Sequence, residues 1–333
     1  EGNFEYASVD ITFNKKPEKV FWSDSIGVED FELLPNRIIL LGTTKSLKKE
    51  SILYLTNRNN KILHTLQLPD IAVKLIRDFR KETHVICEEK VYHIHIENDK
   101  IMLEYVDEDY FYTYLAPIVD TVKQELYFSN FNELYPEFKY KSFDREDSTY
   151  TTLKSVEDKL MMELYRSEYK YVDVRTKLWA LEMEEETGMD KEIWVGATHF
   201  TQSIYYNELF APLFKTRDSL FLFDHYEDKL YKFHPDDGLV DSVKIGYHLK
   251  PVRNGWKKNM VQDYKNEKIY AHFEKAGYAY LKWISGATGK VIKNNKLYYK
   301  YVEKIRVEDD YVYYIFRPFE SMQEKFIYRE KLK

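Results

Sequence analysis

The stretch VYHIHIE, Val91–Glu97, carries the most suggestive pair of side chains in the chain. His93 and His95 stand two residues apart, so on a β-strand both point to the same face. Two imidazoles on one face can grip a metal ion, but a third ligand is needed to hold it. The neighbouring acids Glu88, Glu89 and Glu97 are ordinary company for a surface strand, and solvated histidines are the expectation. Asp224–His225 resembles part of a catalytic triad in residue type alone. No spacing selects a serine for it, and its expected place is a turn between two strands. Cys87, the single cysteine, lies in the apolar run THVICEE. A packed thiol is expected there, and one cysteine permits neither an intrachain disulfide nor a cysteine-based zinc site. Metalloprotease, nucleophile-elbow and phosphate-loop patterns are absent, as is an acidic calcium loop. Acid pairs for glycoside hydrolysis cannot be picked from 56 Asp and Glu residues, because only their separation in space matters. The expectation is therefore no catalytic residue, no metal and no cofactor.

What positions these side chains follows from composition. Of 333 residues, 44% are hydrophobic and 32% charged, enough for a sizeable core and a well-solvated surface. Thirty Tyr and 20 Phe against only 11 Gly favour half-buried pleated strands over helices and exclude disorder. The net charge of −6 argues against a nucleic-acid partner, which needs clustered cations. Short basic pieces such as KSLKKE (45–50) and WKK (256–258) read as solvated loops. No apolar run reaches the length of a membrane-spanning helix.

The strands repeat. DSLFLFDHYEDKLYKF, Asp218–Phe233, is a hairpin of alternating apolar residues split by a polar turn. Its first run recurs at Asn36, Glu82, Gln124, Asp218, Asn266 and Asp309, in steps of 46, 42, 94, 48 and 43 residues. Four of these five steps match a four-stranded propeller blade. Each marker follows an apolar stretch, such as IAVKLI (71–76), and precedes a second run and often a third. The reading is an all-β, six-bladed β-propeller of four-stranded blades, forming a single domain over residues 1–333. Its last unit, from Val302, lacks an outermost strand, and YASVDITF (6–13) alternates cleanly with nothing before it to pair with. An N-terminal strand Tyr6–Phe13 closing the last blade solves both problems and removes an open sheet edge. The long step is assigned to a partly helical insertion at about 155–208, between blades three and four. Val156, Leu160 and Leu164 fall at helix period, so the spacing predicts a helix over 156–170, with Ser155 and Asp158 at its start.

The segments LFKTRDSLFLFDHYEDKLYKFHPDDG (213–238) and FWSDSIGVEDFELL (21–34), set in this repeat, resemble the six-bladed, TolB-like propellers of Bacteroidetes. The resemblance covers nearly the whole chain and rests on pattern rather than an invariant motif. It implies a secreted or lipid-anchored, extracytoplasmic protein whose signal peptide has been removed. It implies no particular activity and carries no catalytic residues.

A propeller brings its innermost strands to one axis, so charges near the ends of those strands are the candidate binding residues. By position these are Arg77, Arg217, Asp263 and Arg306, with the arginines suited to an anionic group. The insertion is a second candidate surface, through Tyr165, Tyr169, Tyr171 and Trp179. The expected function is noncatalytic recognition of a glycan, peptide or protein at the channel mouth by a monomer. The competing expectation is a carbohydrate- or lactone-active hydrolase or lyase working in the channel.

Overall fold

The computed structural model describes residues 16–44, 50–321 and 324–333. They form six four-stranded antiparallel sheets. The first holds β2 (Ile26–Leu34), β3 (Arg37–Thr44), β4 (Ser51–Asn57) and β5 (Ile62–Gln67). The second holds β6 (Ala72–Arg77), β7 (Thr83–Cys87), β8 (Val91–Glu97) and β9 (Lys100–Val106). The third runs β10 (Ile118–Val122), β11 (Glu125–Ser129), β12 (Glu137–Asp144) and β13 (Tyr150–Glu157). The fourth runs β14 (Leu213–Thr216), β15 (Ser219–Asp224), β16 (Lys229–His234) and β17 (Gly238–Lys244). In the fifth are β18 (Trp256–Asp263), β19 (Lys268–Lys275), β20 (Tyr278–Ile284) and β21 (Val291–Lys300). The sixth orders β22 (Glu303–Glu308), β23 (Tyr311–Phe316), β24 (Phe326–Lys331) and then β1 (Glu18–Phe21). Every repeated marker of the sequence is the second strand of a sheet. This is an all-β architecture of the β-propeller type.

The core is distributed between sheets. Val20, Phe21, Val28, Phe31 and Ile38 pack against Tyr313, Ile315 and Ile327 between the sixth sheet and the first. Similar shared clusters join the first sheet to the second, the third to the fourth, and the fourth to the fifth and sixth in turn. Phe111, in a short helical linker, packs on Ile86 and Val91 after the second sheet. Strands with both faces covered bury at nearly every position, as in THVIC of β7, so their apolar runs lose the alternation of a half-exposed sheet.

An N-terminal strand, Glu18–Phe21, is the fourth strand of the last sheet, with Glu18 opposite Arg329 and Phe21 opposite Ile327. Tyr6–Phe13 lies outside the described residues. The register shifts between Lys19 and Phe21, so Val20 and Phe21 are both buried. A bulge thus erases the period-two signal that would mark this strand.

The insertion holds three helices, Lys159–Glu168, Val174–Thr187 and Lys191–His199. Ser155 and Val156 belong to β13, where Val156 is fully buried opposite Phe138, and Asp158 caps the first helix by accepting from Met161 N at 3.0 Å. The predicted helix start is therefore three residues early. Gly188, at φ 71°, ends the second helix. The helices share their own small core, Met161, Met162, Tyr165, Ile193, Ala197 and Phe200. Tyr165 is fully buried and donates to Leu134 O at 2.7 Å, docking the insertion on the third sheet, while Tyr171 faces water. A Cβ on Gly196 would overlap the Tyr165 ring. Gly196→Ala is expected to destabilise by about 1–3 kcal/mol through overpacking, read from the urea midpoint. An unchanged midpoint would show that these helices are not packed this closely. Among the described residues no helix is long and apolar enough to cross a membrane.

Candidate functional site

The inner strands lie side by side, β22 between β18 and β2, and β2 beside β6. Five of the six, β14 excepted, shift register against their partner strand, which bends a strand and re-aims its side chains. Alternation then decides what reaches the axis. On β2, Phe31 and Leu33 turn into the core between sheets, leaving Asp30 and Glu32 on the other face. On β22, Ile305 and Val307 turn into the core, leaving Lys304 and Arg306. Acids from one strand therefore meet bases from its neighbour.

The contacts are direct. Arg306 donates from Nε to Glu32 Oε1 at 2.9 Å and reaches Asp30 Oδ1 at 3.5 Å. Lys304 Nζ lies 3.3 Å from Asp30 Oδ2. Asp30 also accepts from Phe31 N and, across to the second sheet, from Leu75 N at 2.9 and 3.0 Å. Arg77, at the end of β6, approaches the other oxygen of Glu32, with Nε 3.4 Å from Oε2, yet that buried nitrogen makes no hydrogen bond among the described residues. Burial pushes the Glu32 carboxyl up, against the pull of Arg306 and Arg77. Arg77, Arg306, Glu32 and Lys304 line a cavity of about 600 Å³, together with Lys265, His272, Phe214 and Tyr264. Basic groups outnumber acids in its wall, and aromatic surface stands beside them.

Of the four residues expected at this site, the structure brings two together. Arg77 and Arg306 share Glu32. Arg217 lies apart: it sits at φ 53° in the β14–β15 turn, its side chain is 81% exposed, and it pairs with Glu267 at 2.8 Å, outside the cavity. Asp263 also lies apart, being fully buried. Its oxygens accept from Lys265 N, Asn266 N, Asp309 N and Asp310 N at 2.8–3.3 Å. It ties the first turn of the fifth sheet to that of the sixth and has no capacity left for a ligand. Sequence reasoning missed Asp30, Glu32 and Lys304. The signal was present in VEDFELL (28–34) and VEKIRV (302–307), where charges alternate with apolar residues, but the neighbour relation of β2 and β22 is long-range.

The other sequence candidates resolve differently. Asp224 is the predicted turn residue, accepting from Tyr226 N and Glu227 N at 3.0 Å. His225 sits among Phe210, Tyr247, His248 and Trp256, and burial pulls its pKa down to about 3. Cys87 is buried, and burial raises its thiol to about 11, so it is a packed, protonated thiol at neutral pH. His93 is 14% exposed and stacks on buried His84 at 4.8 Å, while His95 is 43% exposed; only His95 fits the expected solvated histidine. Burial lowers both His84 and His93.

No protein family and no curated protein matches this sequence. Solved structures with a similar course of the chain include the calcium-binding protein regucalcin from Agrobacterium tumefaciens, with 8% identity over 95% of this chain and 93% of that one and a TM-score of 0.40. The β-propeller domain of the Trilobed protease from Pyrococcus furiosus shows 11% identity over 97% of each chain and a TM-score of 0.40. Virginiamycin B lyase from Staphylococcus aureus shows 8% identity over 96% and 88%, with a TM-score of 0.35. These proteins differ in activity, and a fold alone does not select among activities.

Proposed function

We propose that the protein is a closed, six-bladed β-propeller that binds an anionic group, carried by a glycan, peptide or protein, at the mouth of its central channel. The observation that carries this reading is Arg77. Its side chain lines the cavity and is 27% exposed; among the described residues its ion pair runs from the buried Nε to Glu32 Oε2 at 3.4 Å, and Glu32 is also held by Arg306. An arginine so placed retains directional donors for a carboxylate or sulfate. The resemblance of 21–34 and 213–238 to TolB-like propellers of Bacteroidetes supports placing this binding outside the cytoplasm.

A second reading has one observation in its favour. Glu32 is a buried carboxyl with a raised pKa facing a cavity, with Asp30 behind it, and such groups serve as general acids in glycan-cleaving enzymes. Both Glu32 oxygens are engaged by guanidinium groups, which favours a counter-ion role. The test is Arg77→Met. Affinity for acidic oligosaccharides or acidic peptides, by titration calorimetry, should fall at least about tenfold, the loss of one charge-assisted contact, with the unfolding midpoint nearly unchanged. Equal affinity of variant and wild type would overturn the binding reading, and glycan or lactone turnover abolished by Glu32→Gln would establish the enzymatic one.

A further inference from the structure

The second sheet carries a row of metal-ligating side chains that the channel does not use. His84, His93 and Glu104 are direct cross-strand partners on β7, β8 and β9, so all three project from one face. His95 shares that face, two residues along β8. His95 Nε2 lies 2.8 Å from Glu104 Oε2, and His93 Nδ1 lies 3.9 Å from the same oxygen. The three ligand atoms fall within 4.8 Å of one another. With zinc–nitrogen and zinc–oxygen bonds of about 2.0–2.1 Å, tetrahedral ligand atoms stand roughly 3.3 Å apart, a spacing that the observed distances bracket.

A further feature separates this cluster from a chance surface hydrogen bond. A metal-bound imidazole almost always donates its other ring N–H to a carboxylate, a backbone carbonyl or water, which fixes the ring. The remaining nitrogen of His93, Nε2, faces Glu82 Oε2 at 3.5 Å. Its ring is also stacked on His84, which is itself held by Asp78 at 3.3 Å. The ring of His93 is thus oriented from one side and free to coordinate on the other.

We propose that His93, His95 and Glu104 form a binding site for a divalent cation of the zinc class, with Glu82 as the orienting carboxylate. Two imidazoles and one carboxylate suit Zn²⁺, Co²⁺ or Ni²⁺ rather than Ca²⁺ or Mg²⁺, which prefer all-oxygen shells. Three protein ligands leave one position of a tetrahedral ion open. His93 and His95 also line a rim cleft of about 360 Å³ with Arg37, Lys81 and Glu82, so the open position has room for water or a small anion. The site would also clamp β8 to β9, the outermost strand of the sheet.

The test is titration of chelator-treated, full-length protein with Zn²⁺, and with Co²⁺ to read its visible absorption. Stoichiometric binding, a Co²⁺ spectrum of tetrahedral intensity and a raised melting temperature are expected. His95→Ala, at the more exposed ligand, should fold normally and weaken binding more than about tenfold, and Glu82→Gln should weaken it roughly tenfold through the orienting contact. His93→Ala should abolish it. Absence of saturable binding, or affinity unchanged in His95→Ala, would overturn the proposal. So would Ca²⁺ binding more tightly than Zn²⁺.

Discussion

Arg306→Ala is expected to destabilise the protein by about 2–3 kcal/mol, because the buried carboxylates of Asp30 and Glu32 lose a charge-assisted contact and are left to Lys304 and Arg77. Two carboxylates depend on this guanidinium. The side chains of Asp30 and Glu32 are 2% and 8% exposed, and Lys304 pairs with Asp30. The arginines are thus not interchangeable: Arg217 pairs with Glu267 outside the cavity, whereas Arg306 holds buried carboxylates. Glu32→Gln in the Arg306→Ala background should recover part of the loss, since it removes one orphaned charge. Urea unfolding of the wild type, the single variant and the double variant measures this. A single variant within 1 kcal/mol of wild type would mean that water reaches these carboxylates freely.

The second large effect is on pH. His225 Nδ1–H donates to Phe210 O at 2.9 Å and Nε2 lies 2.8 Å from the Tyr247 hydroxyl, and burial of the ring disfavours its charged form. Its folded pKa of about 3 lies below the ordinary value near 6.5 of an unfolded chain. The unfolded state therefore binds the proton first, and this contribution is whole above about pH 6.5 and lost as pH falls toward 3. Between pH 7 and 4 the loss is roughly 2–3 kcal/mol after discounting for the ring's partial exposure. His84, His93 and His272, also lowered by burial, act in the same direction. Glu32, Asp224 and Glu330, raised by burial, act in the opposite one. Urea midpoints across this range should show a flatter slope for His225→Gln than for wild type. An identical slope would remove His225 from the account.

How much was legible in the sequence follows from what local periodicity can encode. The second strands were plain because both faces are apolar, as in SLFLFD of β15, and polar turns such as Asp224–Asp228 punctuate them. The insertion was legible as missing punctuation, and its start was misplaced because Val156 suits a buried strand as well as a helix. Glu18–Phe21 was invisible: four residues with a bulge carry no period. The inner strands were half-legible, since their bulges break alternation. Site residues failed where partnership is long-range. Nothing local in VYHIHIE points to Glu104 or Glu82, which meet His93 through cross-strand register and the preceding turn. Nothing local to Asp263 shows that Asp309 and Asp310, a sheet away, donate to it.

The central claim is that the channel cavity takes an anionic group between Arg77 and Arg306. The most direct measurement is a crystal structure of the protein with an acidic oligosaccharide or acidic peptide that it binds in solution. The account predicts the ligand's carboxylate or sulfate within hydrogen-bonding distance of the Arg77 guanidinium, over the Arg306–Glu32 pair. A ligand held elsewhere, on the helical insertion or the outer strands with the cavity unfilled, would contradict it.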